Sequence, residues 1–147
     1  MKKENILVSA CLFGKNCKYN GKNNKINDDI IDKIKRKFNV ILVCPEELGG
    51  LTTPREPSEI LKGEVYTKSG KCVTSNFRLG ALKILKKAKE NNIKLALLKA
   101  NSPSCGNKYI YNGKFEGTLI EGKGISADLL LKNKIEVINE KEIDNIL

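Results

Sequence analysis

Residues 75–100 read SNFRLGALKILKKAKENNIKLALLKA, and the reading of this stretch decides the fold. Its first part places Phe77, Ala81, Leu85 and Ala88 on one helical face, with Ser75 or Asn76 as a cap. Its second part, IKLALLKA over 93–100, is a short apolar run of the form taken by a buried strand. Strands apolar on both faces, alternating with amphipathic helices, build parallel sheets covered by helices.

The same alternation continues on either side. NILVSACL (5–12) reads as a buried strand, and NVILVC (39–44) as another. Between them, NDDIIDKIKRKF (27–38) opens with capping residues and sets Ile30, Ile34 and Phe38 on one face of a helix. Beyond the opening stretch, GISADLLLKNK (124–134) is a helix capped by Ser126, IEVIN (135–139) is a last strand, and EKEIDNIL is a short helix or tail. The pattern predicts an α/β fold: a doubly wound, mostly parallel, Rossmann-like three-layer sheet. Two inserts interrupt it. Residues 51–74 carry irregular, proline-bearing chain and then EVYTKSGKCVT, a hairpin with a Ser-Gly turn. Residues 107–121, NKYIYNGKFEGTLIE, contain Asn-Gly, a strong hairpin signal. The 147 residues are read as a single domain, 1–147, with no internal repeat or linker.

Composition narrows the chemistry. Hydrophobic residues make up 40% and charged residues 30%, a soluble globular composition. No apolar run approaches the roughly 18 residues that span a bilayer. The start, MKKENILVSACLFG, has too short an apolar run and no small-residue cleavage site for a signal peptide, so a cytoplasmic location is expected. The net charge of +10 favours a polyanionic partner such as RNA, but the lysines are scattered and also fit a general Lys/Asn/Ile bias. There is no histidine, which excludes Ser-His-Asp and Cys-His catalysis and any imidazole zinc site. Acid–base work must then fall to Glu, Asp, Lys, Cys or Tyr.

Five cysteines occur, with no CxxC pair among them. Cys11 sits at the end of the first strand, Cys44 ends the second, and Cys105 follows the third in NSPSCG. Ligands of open α/β sheets bind beyond the carboxyl ends of the strands, so the three thiols are expected to converge. Gathered thiolates select zinc, copper(I) or an iron–sulfur cluster; the alternative is three small buried hydrophobes. Pro45 suits the first position of a short helix that ends at Gly49-Gly50, which puts Glu46 and Glu47 beside Cys44. Ser102 and Ser104 flank Pro103, either as a turn or as hydroxyls that orient a ligand or water. Arg55 and Glu59 read either as pocket or loop-anchoring residues or as a surface ion pair. Gly122 and Gly124 precede a helix start, where they could cradle a phosphate or form an ordinary turn.

Together, SACLFGKNCKYNG, VCPEELGGLTTPREPSEI, VTSNFRLGA, NSPSCG and YNGKFEGTLIEGKGISADLL resemble, in order and spacing, the TudS-like thiouracil desulfidase family, from about residue 6 to 140. The resemblance implies a hydrolase-type iron–sulfur enzyme that removes sulfur from 2-thiouracil-type bases without net redox chemistry. It implies a 4Fe–4S cluster as cofactor, with Cys11, Cys44 and Cys105 as metal ligands and a fourth iron open to the sulfur of the substrate. It maps the catalytic carboxylate to Glu46, as general base and acid for water attack, and a second site residue to Ser102. The expected partner is a thiolated uracil, as free base or nucleoside, or a thiolated tRNA. Cys17 is read as a neighbouring non-ligand and Cys72 as incidental. Two other functions stay open: a non-catalytic iron–sulfur carrier or regulatory module closed by Cys17, and a nucleotide- or RNA-binding α/β module with structural cysteines.

Overall fold

The computed structural model describes residues 2–147. Its centre is a four-stranded parallel sheet of β1 (Glu4–Ser9), β2 (Phe38–Val43), β5 (Leu95–Leu97) and β8 (Glu136–Ile138), in the order β2-β1-β5-β8. Alternation along β1 divides the core. Leu7 packs with Ile84 and Ala88 of α3 (Thr74–Glu90) and Ala127 and Leu130 of α4 (Ile125–Lys132). Ile6 and Val8 face the other way, towards Ile34 of α1 (Asp28–Lys37) and Ile143 near the C-terminus. Successive strand residues point to opposite faces, so a run apolar at every position needs helices on both sides. The expected three-layer, doubly wound architecture is present, with hairpins inserted.

Helix starts differ from the reading of the sequence. Asn27 does cap α1, its side chain accepting from the Asp29 N–H at 2.8 Å. Neither Ser75 nor Asn76 caps α3: Val73 precedes the helix, Asn76 instead donates to the Gly49 carbonyl, and Thr74 accepts from the Val65 N–H. Ser126 is not a cap either, because α4 begins one residue earlier and buries Ser126 inside it. Tertiary packing turns Asn76 and Thr74 to partners outside the first turn of α3 and buries Ser126 without one.

Strand ends also move. The first strand stops at Ser9, and Ala10–Phe13 form a 3-10 turn closed by Gly14 at φ +95°. Phe38 opens β2 instead of closing α1, because its ring is buried with Ile34 under the sheet and its backbone is extended. The third strand covers only Leu95–Leu97 of the expected 93–100. In the first insert, β3 (Ser58–Leu61) pairs with β4 (Glu64–Thr67) around Lys62-Gly63, both at positive φ, as a tight hairpin turn requires. The Ser69-Gly70 turn makes only a second, single-bridge return between Tyr66 and Cys72. In the other insert, β6 (Tyr109–Tyr111) pairs with β7 (Leu119–Glu121), and Asn112-Gly113 opens a longer loop instead of a two-residue turn. No helix among the described residues is long and apolar enough to cross a membrane.

Candidate functional site

The chain runs from β1 outward to β2, then returns to place β5 on the other side of β1. Connections leaving the carboxyl ends of β1 and β5 therefore diverge, and the divergence opens a crevice. Cys11 lies on the 3-10 turn after β1, Cys44 immediately before α2 (Pro45–Leu48), and Cys105 in the loop after β5. All three line one cavity of about 510 Å³, with Cys17, Glu46 and Ser102. Cys72 is exposed and does not line it.

Two close packings fix the walls. Gly49, at the end of α2, and Gly80, within α3, face each other: a Cβ on Gly49 would lie 2.0 Å from the Asn76 carbonyl oxygen, and one on Gly80 2.0 Å from that of Pro45. Only glycine lets α2, with Cys44 and Glu46 at its start, sit this deep against α3. On the other wall, the N–H groups at the start of α4 bind the loop that carries Cys105. Gly124 donates to Gly106, Ile125 to Pro103, and Ser126 and Ala127 to the Ser104 carbonyl, at 2.8–3.1 Å. The glycines before α4 are therefore a close-packed turn, with their helix-start donors already engaged, and not a phosphate cradle. The hydroxyl of Ser126 is buried there without a hydrogen-bond partner.

The sulfur atoms have distinct environments. Asn24 donates an amide hydrogen towards Cys11 Sγ at 3.6 Å. The neighbouring Cys17 thiol, the largest influence, brings the Cys11 pKa down to about 7. Cys17 likewise lowers Cys44 and keeps its own proton, its pKa raised by these same contacts. Cys105 is buried, and that desolvation pushes its thiol up to about 12 against the opposing Ser9 and Ser104 hydroxyls. Those hydroxyls approach its sulfur at 3.4 and 3.5 Å. Among the described residues, no three Cys, Asp or Glu side chains close around a single-ion position. Three soft donors spread around one cavity, with hydrogen-bond donors aimed at the sulfurs, suit a thiophilic group larger than one ion.

Glu46 is held from both sides. Its Oε1 accepts from Arg55 Nε at 3.1 Å and its Oε2 from Ser104 Oγ at 3.2 Å. The two charged side chains are only 15% and 8% exposed, so this is a pocket ion pair and the surface-pair reading of Arg55 does not hold. Arg55 also donates to the Cys17 and Thr52 carbonyls, at 2.9 and 3.2 Å, which ties the Cys17 loop to the pocket. Ser102 Oγ accepts from the N–H groups of Ser104 and Cys105, both at 3.1 Å, and pairs with Ser104 Oγ at 2.9 Å. Because the Ser104 proton goes to Glu46, Ser102 supplies the proton between the two hydroxyls. Reading the sequence alone misses Ser9, Asn24 and Lys99; Lys99 lines the cavity beside Cys11 and pairs with Glu140 at 2.7 Å.

Three comparisons bear on identity. The family model described as 2-thiouracil desulfurase matches residues 6–142. The chain is 43% identical over 152 residues to the uncharacterised protein YbbK of Bacillus subtilis (strain 168), covering 97% of this chain and 99% of that one. It is also similar to the solved structure of a 4Fe–4S-dependent thiouracil desulfidase, TudS. There the identity is 40% and the TM-score 0.94, covering 98% of this chain and 95% of that chain. With the match running over nearly its whole length, the chain belongs to the 2-thiouracil desulfurase family.

Proposed function

We propose that this protein, as one domain over 1–147, is an iron–sulfur-dependent desulfidase that replaces the sulfur of 2-thiouracil-type bases by oxygen without net redox change. The observation that carries the reading is one cavity lined by Cys11, Cys44 and Cys105 together with the paired carboxylate of Glu46. The three cysteines would hold a 4Fe–4S cluster, and their soft donors and the hydrogen bonds that Ser9 and Asn24 send to the sulfurs of Cys105 and Cys11 fit such a group. When bound, that group supplies a Lewis-acidic iron with an open position for a soft sulfur atom.

The chain's own residues supply the rest. Water adds at the ring carbon as Glu46 takes one of its protons at the oxygen facing Ser104. The carbon–sulfur bond breaks as the added hydroxyl gives up its proton and becomes the new carbonyl. Glu46 returns its proton to the departing sulfur, and both hydrogens of the water leave with that sulfur as hydrogen sulfide. Arg55 holds the carboxylate in place throughout. Ser102 acts at two points: it orders the Cys105 loop through two main-chain N–H groups, and it feeds the hydroxyl chain that ends on Glu46. Free base, nucleoside and thiolated tRNA share the reacting ring, so each is a candidate substrate, with tRNA demodification as one setting and RNA contact through the basic surface. Free thiols at all five cysteines suit the reducing cytoplasm. Anaerobic reconstitution followed by assay of sulfide from 2-thiouracil, 4-thiouracil and a thiolated tRNA tests the reading. Colourless protein, or unchanged turnover in Glu46→Ala, would sink it.

A closed, non-catalytic centre is a second reading, favoured by the position of Cys17. This thiol is buried in the same cavity, against both Cys11 and Cys44. Loss of the cluster in Cys17→Ser supports that reading; full iron retention with activity supports the open, catalytic one.

A further inference from the structure

Phe115 holds a backbone conformation that aromatic residues seldom adopt. Its φ is +53°, in the left-handed region, where a side chain costs free energy that surrounding structure must offset. Two glycines of the same loop, Gly113 and Gly117, also have positive φ, so the loop uses glycine where backbone shape alone matters. At position 115 it keeps a phenyl ring, half-buried in the wall of the cavity.

Glu59 supplies the offset. From β3, its Oε1 accepts from the N–H groups of Gly113 at 3.0 Å and Phe115 at 3.1 Å. Gly113 packs so closely on the same strand that an added Cβ would lie 2.6 Å from the Ile60 carbonyl oxygen. The two inserted hairpins are thereby clamped together, and Phe115 lines the cavity with Tyr111 and Tyr19. The Tyr19 segment is tied in as well, its carbonyl accepting from the Arg55 N–H at 2.7 Å. The cavity thus combines thiols, the carboxylates of Glu46 and Glu59, and hydroxyls with aromatic rings from two other segments. That division suits a flat heteroaromatic ring, whose edge takes polar contacts and whose faces take aromatic ones.

We propose that Phe115 is the stacking face that selects a planar heteroaromatic ring, and that Glu59 is the positioning residue that holds Phe115 in place. The proposal rests on the desulfidase reading for the identity of the ring, but not for its test. The chain contains no tryptophan, so Phe115→Trp introduces a single tryptophan at the site, excited selectively at wavelengths where the four tyrosines do not absorb. Its emission in the reconstituted protein is expected to be quenched saturably by 2-thiouracil and by uracil, and not by thiourea, which has the thiocarbonyl without the ring. Absence of saturable quenching by both rings, or equal quenching by thiourea, overturns the proposal. In the active enzyme, Phe115→Ala should raise KM for 2-thiouracil roughly 5- to 150-fold, the effect of removing one stacked aromatic. Its kcat and iron content should stay close to the parent, and Phe115→Tyr should restore KM. Glu59→Ala should raise KM likewise, while Glu59→Gln, which keeps the acceptor oxygen, should not. An unchanged KM in Phe115→Ala overturns the stacking role and leaves the desulfidase reading intact. Saturable quenching by uracil without any sulfide release supports the stacking role and defeats the desulfidase reading.

Discussion

Glu46 presents two carboxylate oxygens, and each has a different partner: Arg55 on one and Ser104 on the other. Replacing it by Gln keeps the shape and removes the proposed base, so kcat is expected to fall by about 10²- to 10⁴-fold with iron content unchanged. Arg55→Ala leaves a mostly buried carboxylate without its cation and removes the tie to the Cys17 loop; a loss of about 3 kcal/mol is expected, read from denaturant midpoints. Much at this scale was legible from sequence. Cys11, Cys44, Cys105 and Glu46 could be singled out because apolar runs mark strands, and strand ends mark sites. Cys17 could be read as a neighbour of Cys11, but not as buried against Cys44 as well, because its loop returns through main-chain bonds from Asn24 to Cys11 and from Ile26 to Leu12, which no local period encodes. Ser9 was hidden for a similar reason: its hydroxyl meets Cys105, a residue distant in the chain and reached only through the β1–β5 pairing.

At the scale of elements, the site depends on two tight contacts. In Gly80→Ala, the new methyl meets the Pro45 carbonyl, and α2 must shift with Cys44 and Glu46. Overpacking of this kind costs about 1–3 kcal/mol, and a lower Tm together with reduced iron retention is expected. Away from the cavity, Glu142 fastens the chain after β8. Its carboxylate accepts from Lys108, from Asn107 and from the Asn139 N–H, and the Lys108 contact, the largest cause, holds its pKa below the ordinary 4.5. A depressed carboxylate stabilises the fold above its unfolded value and loses that contribution as pH falls through the folded one. Melting temperature should therefore drop more steeply below pH 4.5 in the parent than in Glu142→Gln. The sequence reading placed both inserted hairpins but misjudged their turns. Ser69-Gly70 carries a turn signal, yet Ser69 is held by the Glu56 carboxylate while Lys62-Gly63 makes the longer pairing. The choice between two turns a few residues apart rests on tertiary partners.

For the whole molecule, the parallel order β2-β1-β5-β8 accounts for the site's location, since it reverses direction between the strands that lead to Cys11 and Cys105. The alternation of helix and strand revealed the layers, but the order of strands has no local signature, so convergence of the thiols could be expected without its geometry. The net charge of +10 is spread over the molecule, and among its cations Lys18, Arg55, Lys68 and Lys99 line the cavity. The central claim is that one cavity holds both the cluster and the carboxylate that works beside it. The most direct measurement is sulfide released from 2-thiouracil by anaerobically reconstituted protein, normalised to bound iron. The expected result is about four irons per chain and one sulfide per uracil formed, over many turnovers. Protein that carries its full iron and releases no sulfide would contradict the claim.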